Sequence, residues 1–203
     1  MYNLTERKIT IGIFCGIFII LVFLLKSYYD YSGSALIENY NFKQIIILIT
    51  YYFFYINLLI LLYNIVVKKY KQNQLKSFMK WLIWLEVLSG ILAILTNLEI
   101  HYGIFGVNLA IRLALIVIYF LIFSRLFRIE KKEIPDISEI HSFMIAFLIM
   151  LIALIGLSFL IEYGRKPELG FIKQLLIIFP FIFIIRFLIK VKRHEFRNET
   201  ASV

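Results

Sequence analysis

The chain contains 203 residues, of which 62% are hydrophobic and 17% charged, and its formal net charge is +9. An average soluble chain is about half apolar and about a quarter charged. With a single cysteine and long apolar runs, this chain is not an extracellular disulfide scaffold, a coiled coil, a disordered tail or a soluble nucleic-acid binder.

Apolar runs along the chain predict six transmembrane helices. Each run is long enough to cross a bilayer core of about 30 Å. The runs are continuous rather than alternating, which favours helices over strands. The segments between them are too short to fold alone. The predicted fold class is therefore an all-α integral membrane protein, a single polytopic domain over residues 1–203. In chain order, the predicted spans are 9–25, 44–67, 81–97, 104–123, 142–161 and 171–189.

Basic residues are concentrated on one side of these spans. Most of the 22 lysines and arginines fall in the two tails and in the second and fourth connecting segments. The positive-inside rule then predicts a multi-pass protein of the cell membrane with both termini in the cytoplasm. This basic collar also attracts anionic lipid headgroups, which explains the net charge. No connecting segment is large enough for a base-reading surface, so we expect no nucleic-acid partner.

The cysteine and the histidines indicate neither a metal site nor a catalytic centre. Cys15 lies within the first predicted span and is interpreted as a small packing residue. His101, His141 and His194 fall in separate regions, whereas a zinc site needs converging ligands. No phosphate-binding loop or hydrolase motif is present in the sequence. We therefore expect no enzyme activity, no cofactor and no metal, and we assign no catalytic residue.

Glu86 and Arg186 are ionisable residues inside predicted spans. Glu86 follows Trp81 by five residues, and Arg186 precedes Lys190 by four. Both are thus expected about 7 Å inside the cytoplasmic edge. Charged groups at such depth usually pair or line water. Three interpretations stay open: an ion pair that docks the third helix on the sixth, a charged constriction on a solute or ion path, and an arginine that extends to the interface alone.

A face of small and polar residues accompanies Glu86 along the third helix. Gly90, Ala93 and Asn97 recur with it at helical spacing. Small residues permit close helix approach, so the face is interpreted as a packing seam, with a binding groove as the alternative.

Arg112 is the deepest ionisable residue of the fourth predicted span. Asn108 precedes it by one helical turn, and Asn57 lies near the middle of the second span. If the second and fourth helices are neighbours, these three side chains could form a central polar cluster. Arg112 would bind an anionic group or line an aqueous path, and the alternative is a hydrogen-bonded structural arginine.

The aromatic run from Tyr51 to Tyr55 lies in the outer half of the second span. Tyrosines are common where a membrane helix meets the headgroups. We interpret this run as part of an interfacial aromatic belt rather than as a ligand cage.

Two function classes remain open from the sequence. In the first, the chain forms a pathway or binding pocket for a small solute or ion, alone or as an oligomer. Arg112 would line this pathway or pocket, together with Glu86 and Arg186 at their common depth. In the second, it is an accessory or regulatory membrane subunit that binds another protein through its basic cytoplasmic face. The expected partners are the lipid bilayer and either a second copy or another protein.

Overall fold

Six long helices make up the fold, and the predicted all-α class is confirmed. The computed structural model describes residues 5–31, 40–97, 104–129, 134, 137–163 and 169–196, and no strand occurs in these ranges. Most helices extend beyond the predicted apolar spans, because a helix continues into the interface once its side chains can reach water. The helices are α1 (Glu6–Tyr31), α2 (Tyr40–Tyr63), α3 (Lys76–Asn97), α4 (Ile104–Leu126), α5 (Ile137–Tyr163) and α6 (Leu169–Phe196).

A compact turn joins α2 to α3. The end of α2 widens into a π-helical turn over Asn64–Lys69, and a 3-10 turn over Asn73–Leu75 opens the next helix. Between them, Lys71 adopts the left-handed conformation with φ 55°. This reversal of the chain makes α2 and α3 antiparallel neighbours.

The helices form a closed ring. Each of them packs against its neighbours in sequence, and α6 returns to pack extensively against α1. In this order α3 stands opposite α6 across the ring, and α2 stands opposite α5. Helix pairs that face each other across the ring therefore meet only through long side chains.

Aromatic side chains fill the middle of the ring. Tyr55 of α2 stacks on Phe147 of α5 with ring centroids 5.9 Å apart. Tyr119 of α4 stacks on the same phenylalanine at 4.5 Å, and Phe181 of α6 meets Tyr55 edge-on at 5.6 Å. All four side chains are buried. The middle of the ring is thus a packed aromatic core to which α2, α4, α5 and α6 contribute.

The outer surface of the ring is apolar. Within the described ranges, four helices contain segments long and apolar enough to cross a membrane: Glu6–Leu25, Ile45–Lys69, Asn73–Leu95 and Ile137–Leu154. A soluble protein rarely exposes contiguous apolar surface of this extent. Large apolar side chains are exposed on every helix, among them Phe14, Phe53, Trp84, Phe120, Ile152 and Phe179.

Two glycines let α1 approach its neighbours closely. Gly12 lies against Leu61 of α2 and Leu188 of α6. A methyl group at Gly16 would come within 2.6 Å of Ile185 Cγ1 on α6. The two glycines are four residues apart, the spacing that brings membrane helices together. The contact between α1 and α6 that closes the ring therefore depends on the absence of side chains here.

Replacing Gly16 with leucine is expected to lower the free energy of unfolding by about 1–3 kcal/mol, because overpacking forces the two helices apart. The matched control is Gly156→Leu on α5, where no atom lies within 4 Å of the added methyl position. Reversible unfolding in mixed detergent micelles measures both. Equal stabilities of the two variants would contradict the tight packing of α1 on α6.

Candidate functional site

Glu86 lies in the middle of the 22-residue α3 and faces the interior of the ring. Only 5% of the residue is exposed. The predicted depth of Glu86, about 7 Å inside the cytoplasmic edge, stays a prediction. The helix begins before the predicted span, at Lys76, so Glu86 is central along the length of α3.

Two tyrosines from neighbouring helices bind the Glu86 carboxyl group. The Tyr55 hydroxyl donates to Glu86 Oε1 over 3.1 Å, and the Tyr119 hydroxyl donates to the same oxygen over 3.3 Å. The two hydroxyl oxygens are themselves only 2.6 Å apart. Both tyrosines are fully buried. We call Glu86, Tyr55 and Tyr119 the central cluster.

The central cluster is enclosed by aromatic rings rather than by charges. Phe147 stacks on both tyrosines of the cluster, and Phe181 and Tyr51 pack against Tyr55. In the described part of the chain, no ion pair joins Glu86 to a basic side chain. The carboxyl group is therefore stabilised by hydroxyl donors in a dry environment, where each hydrogen bond is stronger than in water.

A second polar contact lies beside the central cluster, between α2 and α3. The Tyr52 hydroxyl is 3.4 Å from Ser89 Oγ. The Tyr52 ring rests on Gly90, where an added methyl group would lie 2.8 Å from the ring. This arrangement fits the predicted packing seam along α3, with Tyr52 occupying the space over Gly90. The half-buried Arg112 of α4 acts electrostatically on Tyr52 and so adjoins this contact.

Asn57 does not join Arg112, and the predicted cluster of Asn57, Asn108 and Arg112 is corrected in this respect. The Asn57 side chain is exposed on the outside of α2, and its Nδ2 donates to the Phe53 carbonyl oxygen over 2.7 Å. Because the Asn57 amide donates to a carbonyl group of its own helix, its position outside the core costs less free energy than an unsatisfied amide would. The cause is the rotation of α2, which turns Tyr55 inward and Asn57 outward. The side chain of Asn108 lies outside the described residues.

The predicted pair between Glu86 and Arg186 is also wrong. Arg186 Nη2 lies 3.3 Å from Glu139 Oε1 instead, and Lys190 Nζ is 2.8 Å from the same oxygen. The ring explains this outcome, because α3 and α6 stand on opposite sides while α5 and α6 are neighbours. The Arg186 side chain is 57% exposed. It reaches the end of the ring where α5 begins, rather than its centre.

Replacing Glu139 with glutamine is expected to lower the free energy of unfolding by about 1–2 kcal/mol, since the buried carboxylate that accepts a hydrogen bond from Lys190 and pairs with Arg186 loses its charge. The control is Glu6→Gln. Glu6 pairs with Lys192 over 2.9 Å but is mostly exposed, and a pair of that kind contributes about 0–1 kcal/mol. Thermal unfolding in detergent compares them. A larger loss for Glu6→Gln would show that the Glu139 contact does not hold α5 to α6.

The sequence analysis missed Tyr55 and Tyr119. Tyr55 was assigned to an interfacial aromatic belt, yet it is fully buried in the centre of the ring. The position of Tyr55 along its helix could have indicated a buried polar contact, because a tyrosine hydroxyl in the middle of a membrane helix needs a polar partner. The same holds for Tyr119 in α4. Phe53, within the same aromatic run, is exposed on the outer surface as a belt residue would be.

The described residues offer no metal site of the usual kind. No group of three or more His, Cys, Asp or Glu side chains lies together in the described ranges. Cys15 is buried in α1, and His141 Nε2 lies 3.0 Å from the Leu126 carbonyl oxygen, where it joins the end of α4 to α5.

Comparison with models of protein families, with curated proteins and with solved structures found no match to this chain.

Proposed function

We propose that the chain is a six-span protein of the cell membrane, with both termini in the cytoplasm. In addition to the four apolar spans, α4 has 23 residues and α6 has 28. At about 1.5 Å per residue, both are long enough for a core of about 30 Å. An even number of spans places both termini on one side, and the basic residues favour the cytoplasm.

Within this ring, the central cluster and the adjoining Tyr52 and Arg112 serve as the binding pocket or pathway for a small solute or ion. The observation that carries this function is the buried carboxyl group of Glu86, which is held by hydroxyl groups at the middle of a membrane helix. Ionisable groups at such depth usually mark transport or proton-relay sites.

A purely structural role explains Glu86 less well. Well-packed apolar side chains of similar volume usually give equal or greater stability than buried charged groups. The rings of Tyr55, Tyr119, Phe147 and Phe181 already pack against one another around this position. A carboxyl group among them adds little to packing, and it adds a group that can bind an ion.

Charge movement in reconstituted vesicles tests the transport function. Protein in liposomes adsorbed on a solid-supported electrode is exposed to rapid jumps of proton, sodium, potassium and chloride concentration. We expect a transient current for one of these ions. Arg112→Ala is expected to reduce it about tenfold, because losing a charged hydrogen-bonding group typically costs about 1.5–3 kcal/mol.

Arg125→Ala is the matched control within α4, since Arg125 is exposed at the helix end and lies 5.5 Å from the Phe78 ring. Its current should equal that of the wild type. Currents indistinguishable from those of empty liposomes for every ion would contradict a transport function.

An accessory function is the second candidate, and one surface favours it. Lys76, Lys80, Arg125 and Arg128 are exposed at one end of the ring, next to the exposed Phe127. The centre of a protein–protein interface usually contains aromatic residues and few charged ones, and polar or charged residues surround that centre. If this function is correct, a specific membrane partner should copurify with the wild type. The partner should not copurify with the double variant Lys80→Glu, Arg128→Glu. The reconstituted protein alone would then give no current.

A further inference from the structure

Three oxygen atoms form a closed triangle in the central cluster. Its corners are Glu86 Oε1 and the hydroxyl oxygens of Tyr55 and Tyr119. Its edges measure 3.1 Å and 3.3 Å to the carboxyl oxygen and 2.6 Å between the hydroxyls. The 2.6 Å edge lies within the usual range for a hydrogen bond between two hydroxyl groups, and the two edges to the carboxyl oxygen are slightly longer than that range.

Each edge of this triangle needs one proton. A tyrosine hydroxyl supplies one, an ionised carboxylate supplies none, and a protonated carboxyl group supplies one. If Glu86 were ionised, only two protons would serve three edges. One edge would then hold no proton. With both tyrosines donating to Glu86, that edge is the 2.6 Å contact between their oxygens, where the lone pairs would repel each other. A protonated Glu86 gives three protons for three edges: its own hydroxyl donates to one tyrosine, that tyrosine donates to the other, and the second tyrosine donates back to Glu86.

Among the described residues, no basic side chain forms an ion pair with Glu86. The titratable groups that α2 turns toward the carboxyl group are Tyr51, Tyr52 and Tyr55. The α4 helix contributes Tyr119, and its Arg112 acts on Tyr52. The α5 and α6 helices place phenylalanine rings against the two tyrosines. An ionised carboxylate buried without a paired cation is costly in such a medium.

We infer that the central cluster is a proton-binding site, in which Glu86 carries one exchangeable proton and Tyr55 and Tyr119 complete a cyclic hydrogen bond around it. This rests on the proposed transport function and names its ion.

Proton release would change how the helices are held together. The O–H bond of Glu86 breaks, the electron pair stays on the carboxylate, and the proton passes to water outside the ring. Two protons then remain for three edges, and one edge of the triangle opens. Because the three residues belong to α2, α3 and α4, loss of the proton loosens the contact between these helices. The site thereby links proton binding to the packing of the ring.

Infrared difference spectroscopy of the reconstituted full-length protein tests the proton site. A protonated carboxyl group shows a carbonyl stretching band that an ionised carboxylate lacks. At neutral pH we expect this band in the wild type, shifted when water is exchanged for heavy water. It should be absent from Glu86→Gln and retained in Glu139→Gln, which removes a carboxyl group paired with two cations.

Tyr119→Phe gives a second readout that does not depend on removing the carboxyl group. The band should persist but move in frequency, because one hydrogen bond of the cycle is lost. A wild-type spectrum without the band at neutral pH would overturn the proton site, and so would a band that survives in Glu86→Gln.

The two proposals fail separately. A band that disappears in Glu86→Gln, together with liposomes that show no current, would leave the proton site standing and reject transport. A current that requires Glu86, without the band, would leave transport standing and reject the proton as its ion. An ionised Glu86 that binds a small cation would then account for the current.

Discussion

Replacing Tyr119 with alanine is expected to lower the free energy of unfolding by about 3–5 kcal/mol, the usual cost of removing a large aromatic side chain from a packed core. Tyr119 is fully buried and stacks on Phe147 with ring centroids 4.5 Å apart. Its loss would leave a void at the centre of the ring and would also leave Glu86 and Tyr55 short of a partner.

Two further variants separate the parts of this effect. Tyr119→Phe keeps the ring and removes only the hydroxyl, and should cost about 1–2 kcal/mol. Phe120→Ala removes the adjacent aromatic residue, which is 60% exposed on the outer surface, and should cost less than about 1 kcal/mol. Unfolding by denaturant in bicelles gives all three values. A greater loss for Phe120→Ala than for Tyr119→Ala would mean that α4 turns the opposite face inward.

Glu86→Gln is expected to reduce the ion current about tenfold or more, which corresponds to about 1.4 kcal/mol or more of lost transition-state stabilisation. An amide has nearly the volume of the carboxyl group and still accepts hydrogen bonds from tyrosines, but it cannot bind and release a proton. Folding should therefore be almost unchanged while transport is lost. The measurement is the current per folded protein in solid-supported liposomes.

Glu139→Gln is the control for this experiment, because it makes the same chemical change at the end of the ring. Its stability should fall, as expected from the contacts of Glu139 with Arg186 and Lys190, but its current per folded protein should match the wild type. Full current in Glu86→Gln would exclude Glu86 as the ion-binding group and would leave the central cluster with a structural role.

The sequence predicts the helices well because their signal is local. Every predicted span lies on one of the helices or on the turn that extends α2. Continuous apolar runs give this result without any knowledge of the tertiary fold. The polar residue with the strongest buried contacts, Glu86, was also identified, since a carboxyl group inside an apolar helix stands out on composition alone.

The partners of these residues could not be predicted, because they depend on the order of helices in the ring and on the rotation of each helix. A turn of α2 about its axis decides whether Tyr55 or Asn57 faces inward, and both helix faces are apolar enough to fit either choice. Likewise, Arg186 meets Glu139 because α6 lies beside α5 and opposite α3. Depth along a helix, the criterion used in the sequence analysis, does not carry this information.

Solid-state NMR of isotopically labelled protein in lipid bilayers measures the contacts of Glu86 directly. The geometry predicts through-space correlations between Glu86 Cδ and the Cζ atoms of both Tyr55 and Tyr119, with no correlation to Arg186 Cζ. Correlations of Glu86 Cδ with Arg186 Cζ, or with lipid chains alone, would contradict the central cluster and the functions proposed for it.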